Sequence, residues 1–392
     1  MTKFDFDTLI DRCDTHSNKW DDMHKNYGVS AEDGLAMWVA DMDFRPPPAV
    51  LSCLSDMVSH GVFGYYGNED SYLDAICGWM ARRHNWQVQP DHIHSVHGLG
   101  NGIALCLEAF CAPGDGVMVL TPVYHVFARI IKASGRDLRS VDMILEKGRY
   151  ELDLDAMEAA LKGNEKIFLL CSPHNPGGRV WSVMELQQIA DFCERHDLIL
   201  MSDEIHHDLI MPGYKHVAMP VAVPDISHRL VMLTAATKTF NLPAMLTGNI
   251  IISDTALRRR FQSVLSALAI GGNAFGKQMA EAAYLHGDAW LDALKPYLAE
   301  NHRLFKDGIE AIPGIKAMVA DATFLSWVDF SGLGMDRAEI LERIQGRAKI
   351  APNHGETFGT AGADFMRFNL GTQRARVSEA IRRLQSAFGD LQ

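Results

Sequence analysis

Lys238 stands in Thr234-Ala-Ala-Thr-Lys238-Thr-Phe-Asn-Leu, directly after the apolar run Leu230-Val-Met-Leu233. An amine at the end of a buried strand is partly desolvated, which lowers its pKa and frees its lone pair to attack a carbonyl. A Schiff-base lysine and an ordinary strand-closing lysine both fit this stretch alone. Its neighbours in other stretches bear on the choice. Asp203 closes the run Leu198-Ile-Leu-Met-Ser202, where a carboxylate needs a partner such as a protonated ring nitrogen. Asn175 follows Ile167–Cys171 and could donate to a phenolate oxygen or make an Asx turn. Tyr124 follows Val117–Leu120 after a proline and could stack on an aromatic cofactor or pack. Arg367, within Phe365-Met-Arg-Phe-Asn369, has apolar neighbours that suit a pocket-facing fork for a carboxylate, with a surface arginine as the alternative.

Gly98-Leu-Gly-Asn-Gly102 opens a helical segment, so backbone N–H groups and a positive dipole end could meet a phosphate there. Its G-x-G-x-G spacing is not the dinucleotide fingerprint, which argues against a nicotinamide dehydrogenase. Asp203, Glu204, His206, His207 and Asp208 contain metal-ligand types, but strand alternation keeps all five from converging. No metal site is expected, and His92, His94 and His97 read as strand-exposed histidines.

The elements that must position these groups alternate along the chain. Apolar runs at 92–97, 117–120, 167–171, 198–202, 230–233 and 249–252 are separated by helical periodicity. That pattern predicts a mostly parallel sheet sandwiched by helices, with ligands outside the carboxyl ends of its strands. After about residue 285 a long helix, a strand at 324–330 and two more helices predict a smaller α+β domain. The expected division is an N-terminal arm with part of the small domain over 1–45, a large domain over 46–284, and a small C-terminal domain over 285–392. Asp41 and Asp43 alternate with apolar residues in a strand-like period before Pro46-Pro-Pro48.

A chain of 392 residues exceeds what one core usually fills, and a net charge of −12 argues against nucleic acid or an anionic membrane as partner. No apolar run is long enough to span a bilayer, and no hydrophobic signal core opens the sequence. The seven cysteines are scattered without C-x-x-C spacing, as in a reducing compartment. A cytoplasmic enzyme is expected.

Taken in order, Trp38-Val-Ala-Asp-Met-Asp-Phe44, His60-Gly-Val-Phe-Gly-Tyr65, Ser172-Pro-His-Asn-Pro176 with Gly178-Arg-Val-Trp181, Ser202-Asp-Glu-Ile-His206 and Lys238-Thr-Phe-Asn-Leu242 carry a resemblance. The chain resembles the fold-type I pyridoxal-phosphate enzymes of the class I/II aminotransferase superfamily, and within it the cystathionine β-lyase (cysteine-S-conjugate β-lyase) branch. The resemblance spans nearly the whole chain. It implies pyridoxal 5′-phosphate as cofactor and Lys238 as its Schiff-base lysine and proton shuttle. It further implies Asp203 on the pyridinium nitrogen, Asn175 and His206 near the phenolate oxygen, Tyr124 on the ring, and Leu99 and Gly100 N–H groups on the phosphate. Tyr65 would reach the phosphate of a second subunit in a homodimer, and Arg367 would hold the carboxylate of an amino-acid substrate.

The implied reaction is β-elimination from cystathionine or a related S-cysteine conjugate to a thiol, pyruvate and ammonia. An aminotransferase would use the same residues. A cofactor-binding regulatory protein with little turnover is a third reading. The chain departs from the branch at Ala235, where serine is usual three residues before the lysine, and at Pro243-Ala244, Gly178 and His125. These departures are expected around the phosphate and the substrate mouth.

Overall fold

The structure is a computed structural model and describes residues 4–391. Seven strands form the larger sheet: β1 (Ile93–Val96), β2 (Gly116–Thr121), β3 (Asp137–Asp142), β4 (Glu165–Cys171), β5 (Ile199–Asp203), β6 (Leu230–Thr234) and β7 (Gly248–Ile251). Their spatial order is β1-β7-β6-β5-β4-β2-β3. Pairings from β3 to β6 are parallel, whereas β7 runs antiparallel to both of its neighbours. The expected mostly parallel sheet is present.

Both faces of this sheet are covered, which explains the continuous apolar runs. Residues alternate between two cores: Met118, Leu120, Phe168, Leu170 and Met232 face one, and Val117, Val119, Ile167, Leu169 and Val231 the other. The apolar runs located each of these strands except β3. That strand lies at the sheet edge, with Val141 as its one buried residue, so it carries no apolar run. The helix α3 (Val183–Arg195) starts at a capping box in which Ser182 and Glu185 satisfy each other's backbone N–H groups.

A second sheet has the order Leu35–Met37, Ile350–His354, Phe365–Asn369, Leu325–Asp329, Lys316–Ala317. Its N-terminal strand pairs in parallel with Ile350–His354, and the remaining pairings are antiparallel. Arg367 sits in the middle strand, opposite Trp327 on one side and Asn353 on the other.

The strand-like period of residues 37–44 is not realised beyond Met37. Residues 38–47 form a loop instead, because their polar groups are taken up by side chains from elsewhere. Arg12 pairs with Asp41 at 2.7 Å and Asp43 at 2.8 Å, and buried Lys19 pairs with Asp43 at 2.9 Å. Asn241 donates to Met42 O and Phe44 O and accepts from Met42 N, each at 2.8 Å. Of the three histidines expected on a strand surface, His92 and His94 are half-buried, His92 in the turn before β1, while exposed His97 lies just past the strand; the His94 ring is 5.8 Å from that of Phe261. No helix among the described residues is long and apolar enough to cross a membrane.

Candidate active site

One cavity opens at the carboxyl ends of the parallel strands. It is lined by Ala40, Gly98, Leu99, Gly100, Tyr124, Asn175, Asp203, His206, Thr237, Lys238 and Pro243 among others. The register that pairs Cys171 with Asp203 and Asp203 with Leu233 aligns the strand ends beneath it. Of the residues singled out in the sequence, Leu99, Gly100, Tyr124, Asn175, Asp203, His206 and Lys238 therefore meet there.

The helix α2 (Leu99–Phe110) points its N-terminus at the cavity and has no side-chain cap. Gly98 precedes it with φ +80, a conformation that favours glycine and turns the chain sharply from β1 into the helix. The first N–H groups of a helix lack intrahelical acceptors, so Leu99 and Gly100 present donors with a positive dipole behind them.

Asp203 is buried, and Ile205 N is the donor to its Oδ1 at 3.1 Å. Burial raises its pKa to about 7 against the opposing pull of that N–H and of Lys238. A cationic N–H partner from the cavity would keep it ionised. His206 is buried with Nδ1 unpartnered, and burial, then Lys238 and Arg367, hold its pKa well below the ordinary value. Its imidazole is therefore neutral.

Lys238 lies on a single helical turn, α4 (Ala236–Thr239), that follows β6. It is half-buried, with the remainder facing the cavity. Desolvation lowers its pKa to about 8, opposed by Asp41, assisted by Arg367 and opposed again by Asp203. Its Nζ donates to Ala40 O at 2.5 Å. Ala40 acts through a backbone carbonyl, which leaves no side-chain signal in the sequence.

Arg367, on the second sheet, does not itself line the cavity but bonds to Asn175, which does. It donates to Asn175 Oδ1 at 3.0 Å, to Trp38 O at 2.9 Å, and to Asn353 Oδ1. All three acceptors are neutral, and no carboxylate pairs with Arg367 among the described residues. Burial brings its pKa down to about 10, partly offset by Tyr124 and Tyr27. The guanidinium is thus charged at neutrality and short of an anion. Its carbon lies 4.9 Å from the Phe358 ring centre.

The departures separate on this geometry. Ala235 is buried in the apolar core on one sheet face, while Thr237 lines the cavity. Thr234 is buried with its hydroxyl unpartnered. Gly178 does not line the cavity; it sits at φ +68 with its carbonyl accepting from Asp321 N and Ala322 N, a backbone role. His125 packs between the rings of Tyr124 and Phe358, and burial pushes its pKa down to about 4. Tyr65 is fully exposed and does not line this cavity.

Residues 34–384 match the family described as aminotransferase class I and II. The chain belongs to that family. Family relatives include the cystathionine beta-lyase PatB of Bacillus subtilis, 37% identical, with 97% of this chain and 99% of the relative covered. Protein MalY of Escherichia coli is 31% identical, with 98% of each chain covered. Among solved family structures, cystalysin from Treponema denticola, which contains pyridoxal 5′-phosphate, superposes with a TM-score of 0.94 at 36% identity. That superposition covers 99% of this chain and all of the other.

Proposed function

We propose that the chain is a pyridoxal 5′-phosphate-dependent carbon–sulfur β-lyase acting on cystathionine or a related S-cysteine conjugate. The observation that carries this reading is one cavity lined by a depressed-pKa lysine and a buried carboxylate, with a buried arginine lacking an anion bonded to the cavity-lining Asn175. The likeness to the cystathionine beta-lyase of Bacillus subtilis over almost the full chain supports the choice of reaction.

The residues present fit the cofactor. The uncapped α2 N-terminus at Leu99 and Gly100, with the Thr237 hydroxyl, suits a phosphate. Asp203 suits a pyridinium N–H, Tyr124 a ring face, and Asn175 with His206 a phenolate oxygen. When bound, pyridoxal 5′-phosphate supplies a carbonyl for Lys238 and an electron sink for the substrate α-carbon.

The chain's own groups then divide the work. Arg367 binds the substrate carboxylate through its planar fork, and its link to Asn175 fixes that fork relative to the cavity. Asp203 keeps the ring nitrogen protonated. Lys238, as a free amine, takes the α-proton, and its pKa of about 8 matches that task near neutral pH. The thiolate leaves from the β-carbon, and water releases pyruvate and ammonia from the remaining three-carbon unit.

This reading divides the chain at about residues 45 and 284, placing Lys238 on the larger body and Arg367 on the smaller. It is completed by a second subunit contributing Tyr65, and by a cytoplasmic setting consistent with free cysteines. The deciding experiment incubates the protein with cystathionine in the absence of any keto acid. Pyruvate release supports the lyase. Turnover that occurs only with an added keto-acid acceptor would instead make the chain an aminotransferase.

A further inference from the structure

Lys238 occupies a helix that cannot hold its own orientation. A single turn fixes several dihedrals for little hydrogen bonding, and α4 has no side-chain cap. Its direction must be imposed by neighbours. Asn241 supplies one anchor through its three bonds to residues 42 and 44. The other lies one residue from Lys238, where the fully buried Thr239 hydroxyl donates to Asp208 Oδ2 at 2.7 Å.

Asp208 is itself rigidly held. Trp79 Nε1 lies 3.1 and 3.2 Å from its two oxygens, and His84 Nε2 lies 2.8 Å from Oδ1. Trp79 and His84 belong to the helix α1 (Asp70–His84), whose Tyr72, Ile76 and Trp79 pack in the core on one face of the larger sheet. The His207 ring stacks on that of His84 at 4.0 Å, with Nε2 3.4 Å from Asp208 Oδ2. Burial alone would raise the Asp208 pKa, but His207 and His84 hold it well below the ordinary value. A carboxylate here is an obligatory acceptor, so Thr239 is the donor.

His84, His207 and Asp208 also present ligand-type atoms within 4.8 Å of one another. Two of them come from the 203–208 stretch, joined by a partner distant in sequence. The Asp208 oxygens already accept from an indole, a hydroxyl and an imidazole, so a metal ion would have to displace bonds already made. The arrangement therefore serves as an anchor.

We propose that Asp208, fixed by His84 and Trp79, is a positioning residue for Lys238 that acts through the Thr239 hydroxyl. Successive residues on a helix are about 100° apart around its axis, so pinning Thr239 sets the rotation of α4 and aims Lys238 into the cavity. The anchor lies outside the cavity and touches neither cofactor nor substrate in the proposed reaction. The inference rests on the cofactor reading above.

The test uses the full chain, stripped of cofactor, in wild-type, Thr239→Val and Thr239→Ser forms. Added pyridoxal 5′-phosphate is trapped with borohydride, and the rate of covalent capture at Lys238 is read by mass spectrometry. Affinity for pyridoxamine 5′-phosphate, which has no carbonyl and cannot bond to the lysine, is measured in parallel. Capture should slow about tenfold or more in Thr239→Val and recover in Thr239→Ser, with pyridoxamine 5′-phosphate affinity within about twofold of wild type.

Wild-type capture by Thr239→Val overturns the proposal. So does a parallel loss of pyridoxamine 5′-phosphate affinity, which marks a merely structural role. If Thr239→Val does not fold, Asp208→Asn carries the same comparison: slowed capture supports the anchor and unchanged capture overturns it. A wild-type chain that forms no reducible adduct removes the cofactor reading itself, a result distinct from these.

Discussion

Arg367 Nη1 donates to Asn175 Oδ1 at 3.0 Å, joining the second sheet to the strand-end loop of the first. In the proposed reaction this bond couples the substrate-carboxylate site to the cofactor site. The Asn175 carbonyl engages Arg367, which leaves its amide group to donate toward the cavity. Arg367→Lys keeps a charge but loses the fork and, with it, bidentate contact. Steady-state kinetics on cystathionine should show KM raised roughly tenfold to a hundredfold, with a smaller fall in kcat. An unchanged KM would remove Arg367 from substrate binding.

Lys238 is held against its own solvation preference, with an ordinary pKa of 10.5 lowered to about 8 mainly by burial. Between those values the unfolded chain binds the proton and the folded chain does not. Cofactor-free stability therefore rises as pH climbs from about 8 to 10.5, and the penalty is complete below 8. Lys238→Met should abolish covalent cofactor capture, while stabilising the cofactor-free chain at pH 7 by up to about 3 kcal/mol. Denaturant titration at pH 7 and pH 10 checks the second part: the gain should shrink at the higher pH.

The strand-end residues were legible because a buried parallel sheet leaves continuous apolar runs, and each run stops where a polar residue meets the crevice. Lys238, Asp203, Asn175 and Tyr124 are all of this kind. Ala40 and the Asp208 anchor were not legible, for different reasons. Ala40 contributes a carbonyl from a loop whose alternation imitates a strand. Asp208 draws Trp79, His84 and Thr239 from 129, 124 and 31 residues away, distances over which local periodicity says nothing. The motif puts Gly178 among the mouth residues, yet its positive φ and its closeness to residues 320–322 show a backbone requirement.

Asp203 carries the opposite sign from Lys238. Burial raises its pKa from 3.8 to about 7, so the folded cofactor-free chain holds a proton that the unfolded chain has released across that interval. The associated stability is present in full below about 4 and is lost as pH rises to about 7, at a slope of up to about 1.4 kcal/mol per pH unit. Asp203→Asn should flatten this dependence in the cofactor-free chain and leave it more stable at pH 8. Bound pyridoxal 5′-phosphate offers a cationic partner, so cofactor should flatten the wild-type profile in the same way. Its stabilisation of Asp203→Asn should be smaller at pH 8. Melting curves at pH 4, 6 and 8, with and without cofactor, separate these outcomes.

Tyr65 is fully exposed in the single chain, on a loop with Val62 and Phe63, which are also exposed. Such an exposed apolar patch suits an interface between two copies of the chain. Under the shared-site reading, Tyr65→Ala and Lys238→Ala damage different chains of the same site. A hybrid dimer of the two variants then has one site with both lesions and one site with neither. Co-expression should give hybrids as half of all dimers, so the mixture should recover about a quarter of wild-type activity although each pure variant is nearly inactive. Separation by two different affinity tags would isolate the hybrid, which should carry about half of wild-type activity per dimer. A hybrid no more active than either pure variant would place Tyr65 outside the shared site.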